Sequence, residues 1–88
     1  MQLWTVSFKP EADRDISRLS KDVARQVWDK LHWLENNFAS ITPQRLTADL
    51  LGSYKLRVGN YRVIYELNYK RSIIYVYRIE HRSKVYKK

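Results

Sequence analysis

Three cations flank one tight turn in this sequence: Lys55, Arg57 and Arg62 stand around Gly59-Asn60. On either side of the turn, Tyr54, Leu56, Val58, Tyr61, Val63 and Tyr65 alternate with other residues. Gly-Asn between two alternating runs is a two-residue hairpin signal. Such a turn sets Val58 opposite Tyr61, Arg57 opposite Arg62, Leu56 opposite Val63 and Lys55 opposite Ile64. Because successive side chains alternate faces, the aromatic and aliphatic residues share one face, and Lys55, Arg57 and Arg62 share the other. Like charges opposed across a sheet repel by some tenths of a kcal/mol. An anion held between them offsets that repulsion, and a phosphate fits because guanidinium groups grip it in bidentate fashion. The competing reading is a solvent-facing strand pair whose long side chains splay apart.

The charge distribution favours the phosphate. The net charge is +8. Residues 1–49 carry seven Lys/Arg and seven acids, whereas residues 50–88 carry ten Lys/Arg against Glu66 and Glu80 alone. The whole surplus therefore lies in the second half, the footprint of a polyanion site. Solubility alone would not require that concentration. An acidic protein partner is a further reading, compatible with RNA.

Other candidates follow the hairpin. Residues 73–79 (IIYVYRI) are rich in β-branched and aromatic types and predict a third strand. A three-residue turn, Tyr69-Lys70-Arg71, puts Ile73, Tyr75, Tyr77 and Ile79 on the core face and Arg78, Glu80 and Arg82 on the basic one. A two-residue turn reverses them. The first is preferred because it does not bury Arg78. Tyr86 beside an arginine cluster can stack a base, or else close the core edge. His81 can move a proton near neutral pH. His32 falls on the exposed side of a helix.

These groups need a scaffold. Residues 2–8 alternate and predict a strand. Lys9-Pro10-Glu11 opens a helix, since proline suits a first turn and Glu11 and Asp13 suit its positive end. Ala12, Ile16 and Leu19 form its apolar stripe. Ser20 caps a second helix, with Val23, Ala24, Val27, Trp28, Leu31, Leu34 and Phe38 on one face and Asn36-Asn37 at its end. Residues 39–52 show no sustained period and read as a connecting loop. The order β-α-α-β-β-β predicts one α+β domain over residues 1–88: two N-terminal helices packed on one face of a mostly antiparallel sheet of about four strands.

Composition narrows the function. With no cysteine, a disulfide framework, a Cys-based zinc site and a thiol nucleophile are excluded. No acidic cluster suggests a metal, and no cofactor is expected. The N-terminus lacks the basic and long apolar regions of a signal peptide, and no apolar run approaches the roughly 18 residues of a membrane span. The expected location is the cytoplasm.

The segment Tyr54 to Tyr65, followed by His81-Arg82-Ser83-Lys84-Val85-Tyr86, resembles the RelE/ParE toxin superfamily. The resemblance extends to the opening strand and to Phe8, Ala12 and Leu19 on the first helix. It implies a microbial-RNase-like RelE fold and a type II toxin that cuts mRNA in the ribosomal A site without a metal. It also implies a RelB-like antitoxin partner in a hetero-oligomeric complex, with no membrane. Lys55, Arg62, Arg82 and Tyr86 match the functional positions, and Arg57 lies in the same motif. Arg78, His81 and Lys84 are expected to bind RNA around them. Ser53 stands where some members carry a second lysine, and some space the C-terminal arginine further from the tyrosine.

In such a site the ribose 2′-OH is the nucleophile, and the protein positions it, assists its deprotonation and stabilises the transition state. Arg62, with Arg57 nearby, would meet the developing phosphate charge. Lys55 would act as base if neighbouring cations depress its pKa, and otherwise as a third electrostatic contact. Arg82 would aid the leaving group, and Tyr86 would stack or orient the base. The rival readings are a ParE-like gyrase inhibitor without nuclease activity, a non-catalytic RNA-binding module, and a basic face that docks an acidic protein.

Overall fold

The computed structural model describes residues 3–41, 44–45 and 53–85; the side chains of residues 44, 45, 84 and 85 lie outside the description. The elements are β1 (Thr5–Phe8), α1 (Pro10–Ser17), α2 (Lys21–Asn37), a 3-10 turn (Phe38–Ser40), β2 (Gln44–Arg45), β3 (Tyr54–Val58), β4 (Tyr61–Asn68), β5 (Ile73–His81) and the one-turn helix α3 (Arg82–Val85). The sheet order is β1-β5-β4-β3-β2, with β1 parallel to β5 and the other pairs antiparallel. This is the expected α+β arrangement. The difference is a fifth, two-residue strand, β2, inside the segment read as loop. Two residues are too few to show a period, so β2 leaves no mark in the sequence.

The helices form where their boundary residues allow. Pro10 opens α1, with Glu11 and Asp13 in its first turn. Ser20 Oγ accepts the Val23 N–H at 3.3 Å and so caps α2. Both helices bury their apolar stripes against one sheet face. Ala12, Val27, Leu31 and Leu34 are fully buried there with Val63, Ile74 and Val76, and Trp4, Phe38, Val58, Tyr65 and Ile79 complete the core. Ile16, Leu19, Val23, Leu56 and Tyr61 pack against it partly buried. Trp28, assigned to the apolar face, is 43% exposed and instead stacks on Phe8, ring centroids 4.9 Å apart. Burial pushes the Tyr65 phenol up to about 12, helped by Tyr54 and Tyr69.

The register of β5 corrects the expectation from a three-residue turn. Asn68 pairs with Ile73, so the β4–β5 connection has four residues, Tyr69 to Ser72. Asn68 Oδ1 accepts the Arg71 N–H at 3.0 Å, and Ser72 takes a left-handed φ of 57°. An even-numbered turn reverses the faces, so Ile74 and Val76 enter the core, not Ile73 and Tyr75. A bulge then follows: Tyr65 pairs with Val76 but Ile64 with Arg78, leaving Tyr77 as the extra residue. The bulge restores the parity, so Ile79 is buried while Arg78 and Glu80 lie on the face of Arg62, as expected.

Candidate functional site: a basic sheet face

The hairpin forms as read from Gly59-Asn60. Gly59 has φ +57°, and Asn60 is not among the positive-φ residues, the pattern of a two-residue turn with glycine first. The register is Val58–Tyr61, Arg57–Arg62, Leu56–Val63 and Lys55–Ile64. Tyr54 pairs with Tyr65 on the core face, their rings stacked at 5.7 Å. Lys55, Arg57 and Arg62 therefore share the face turned away from α1 and α2. Arg57 is exposed, and Lys55 and Arg62 are half-buried. As cross-strand neighbours, Arg57 and Arg62 hold their Cβ atoms about 4.5–5.5 Å apart.

Charge on this face is graded. Glu80 pairs with Arg62 from β5, so Arg62 has an arginine on one side and a carboxylate on the other. Toward β3 the carboxylate on this face is that of Glu66, which accepts from Ser53 Oγ at 3.3 Å at the start of the strand. The ion pairs among the described residues are Arg78–Asp15 and His32–Glu35, and neither involves Lys55 or Arg57. Lys55, Arg57 and Arg62 thus form a cationic row bordered by Glu80 on β5 and by Glu66 near Ser53. That arrangement suits a phosphodiester, whose oxygens accept from guanidinium and ammonium donors together. At the opposite end of the same face, Lys9 Nζ lies 4.4 Å above the Tyr75 ring, and burial and the Glu66 carboxylate push the Tyr77 phenol up.

The remaining candidates separate. Arg78 is engaged: its Nε donates to Asp15 Oδ2 at 2.8 Å, and the same oxygen accepts the Ile79 N–H at 2.8 Å. Burial works against ionisation of Asp15, but these hydrogen bonds and the Arg78 charge outweigh it and hold the carboxyl below its usual value. His81 pairs with Tyr61, ring edge to ring face at 5.1 Å, and so lies on the helix side of the sheet, not with Arg62. Arg82 is exposed and opens α3; its backbone N–H donates to the Asn60 carbonyl at 2.8 Å, fastening α3 to the β3–β4 turn. Lys84 lies in α3, and Tyr86 falls outside the described residues. Glu80 is expected on this face, but its pairing with Arg62 depends on the β5 register, and Asp15 beside Arg78 depends on long-range packing, so neither contact is marked by local residue pattern.

The family model described as the ParE toxin of the type II toxin–antitoxin system matches residues 6–86. The chain belongs to the ParE toxin family, within the RelE/ParE superfamily. This family covers the strand, both helices and the basic hairpin together. Among curated relatives, the toxin RelG of Mycobacterium tuberculosis is 24% identical over 91 residues, covering 97% of this chain and 98% of RelG. Among solved structures, a chain of the RelBE2 toxin–antitoxin complex of M. tuberculosis superposes with a TM-score of 0.76 at 25% identity, covering 92% of this chain and 100% of that one. The isolated RelE toxin of E. coli gives 0.74 at 22% identity, covering 94% and 90%, a likeness of fold. The chain is thus a type II toxin–antitoxin toxin with a RelE-like fold. No helix among the described residues is long and apolar enough to cross a membrane.

Proposed function

We propose that this toxin is a ribosome-dependent endoribonuclease that cleaves mRNA in the ribosomal A site and so inhibits translation in the cytoplasm, acting as a single domain over residues 1–88. The observation that carries this reading is the cross-strand pair Arg57–Arg62 beside Lys55 on the sheet face away from the helices. A scissile phosphodiester held there has its transition-state charge met by Arg62 and Arg57. Lys55 lies two residue pairs further along the strands and contacts the same phosphate or the 2′-OH. Arg82, anchored at the turn through its own backbone, is assigned to the leaving 5′-oxygen, and Tyr86 to stacking on or orienting a base. The reaction breaks the P–O5′ bond as the 2′-oxygen attacks phosphorus; the 2′ proton leaves and the 5′-oxygen is protonated. These residues need no metal for that chemistry.

With so few proton-transfer groups, the protein is slow on free RNA, and the ribosome supplies the in-line alignment worth several kcal/mol. A RelB-like antitoxin is the proposed partner, by analogy with the RelBE2 complex of M. tuberculosis and the RelE–RelB complex of Pyrococcus horikoshii. The rival reading is a ParE-like gyrase inhibitor without nuclease activity. Primer extension on mRNA from toxin-treated ribosomes, set beside a gyrase supercoiling assay, separates the two. New 3′ ends at A-site codons with gyrase unaffected support the nuclease. Gyrase inhibition without new ends overturns it.

A further inference from the structure

His81 stands apart from the basic face yet immediately before Arg82, and its ring is committed to a backbone contact. Ser83 N–H donates to His81 Nδ1 at 3.2 Å, and Ser83 Oγ lies 2.9 Å from the same nitrogen. A backbone N–H can only donate, so Nδ1 is the acceptor and the neutral ring carries its proton on Nε2. His81 ends β5 in extended conformation and Arg82 is the first residue of α3, which places His81 at the N-cap and Ser83 at the second helical position. An N-cap side chain accepting from that position satisfies one of the donors a helix start leaves unpaired. The donor of Arg82 goes to the Asn60 carbonyl at 2.8 Å. The first two donors of α3 are therefore met by His81 and by the hairpin turn.

We propose that His81 is a positioning residue for Arg82: its Nδ1 caps α3 and fixes where the chain leaves the sheet beside the Arg57–Arg62 hairpin. The ring itself is held from the other side by Tyr61, edge to face at 5.1 Å. It borders a cavity of about 390 Å³ whose charged walls are Asp15, Arg18, Arg78 and Glu80. With Nδ1 occupied by two donors of Ser83, His81 is not arranged as a proton acceptor toward the basic face, and its orientation toward Tyr61 removes it from the phosphate. This assignment replaces the RNA contact expected of His81 from sequence, and it rests on the nuclease reading above.

The test has two arms. In the first, the imidazole nitrogens of ¹⁵N-labelled protein are read by NMR together with exchange of the Ser83 amide. A neutral Nε2–H ring and a protected Ser83 amide are expected; an Nδ1–H ring overturns the cap. In the second, wild type, His81→Asn and His81→Ala are compared for mRNA cleavage on programmed ribosomes at matched thermal stability. Asparagine is a good N-cap but cannot move a proton. His81→Ala is expected to lose about ten- to a hundredfold in rate through misplacement of Arg82, and His81→Asn to recover most of that loss. Equal loss in both variants overturns the positioning role and makes the imidazole itself the active group. Wild type that cuts no mRNA overturns the nuclease reading and this role with it.

Discussion

Arg57 and Arg62 face each other directly across the β3–β4 hairpin, and Glu80 faces Arg62 from the other side. A pair of like charges in register costs the fold some tenths of a kcal/mol. Lys55 on the same face extends the cationic row to a second residue of β3, and under the proposed function it meets the same phosphodiester.

Replacing Arg57 tests the trade directly. Arg57→Thr removes the repulsion and places a β-branched residue in the strand. We expect a gain of some tenths of a kcal/mol in urea unfolding, with weaker cleavage. Stability that falls on this substitution contradicts the strained-pair account.

Asp15 carries a pH dependence. Its folded carboxyl titrates below the ordinary value of 3.8, because Arg78 and the Ile79 N–H favour the charged form more than burial disfavours it. A depressed carboxylate stabilises the fold fully above the unfolded value and loses that contribution as pH falls through the folded one. Wild type should therefore lose thermal stability below about pH 4, and Asp15→Ala should show a shallower acid decline. At neutral pH the same variant leaves the Ile79 N–H without its acceptor at a buried position, a cost of about 1–3 kcal/mol. Melting curves across pH check both.

Gly59 holds the turn that brings Arg57 to Arg62. At φ +57° an L side chain is strained, although a Cβ there would meet only Gln26 Oε1 at an ordinary 3.7 Å. Gly59→Ala is expected to cost about 1–2 kcal/mol from backbone conformation alone. A larger loss, measured by urea unfolding, would mean that the hairpin register itself had shifted.

Much of this molecule was legible in its residues because the signals were local. Pro10, Ser20 and the 3.6-residue period marked α1 and α2. Gly59-Asn60 marked the hairpin and, through strict alternation, the face shared by Lys55, Arg57 and Arg62. The β5 register was not legible, because two parity changes compensate: a four-residue turn reverses the faces and the bulge at Tyr77 reverses them back. Arg78 therefore lies on the expected face for a reason other than the one inferred, and Ile74 and Val76 take the core places assigned to Ile73 and Tyr75. The Arg78–Asp15 pair joins residues 63 positions apart and has no sequence signature. The cap between His81 and Ser83 spans two positions, but histidine is not among the usual cap residues, so the local pattern did not announce it.

The central claim is that Arg62 meets the charge developing on a scissile phosphate. The most direct measurement is the single-turnover rate of mRNA cleavage on programmed ribosomes by wild type and Arg62→Ala, with the melting temperature of each recorded alongside. The account predicts an unchanged fold and a rate lower by about 10²–10³-fold, the size of effect seen when one oxyanion donor is removed. A folded Arg62→Ala protein that cleaves at the wild-type rate would contradict it.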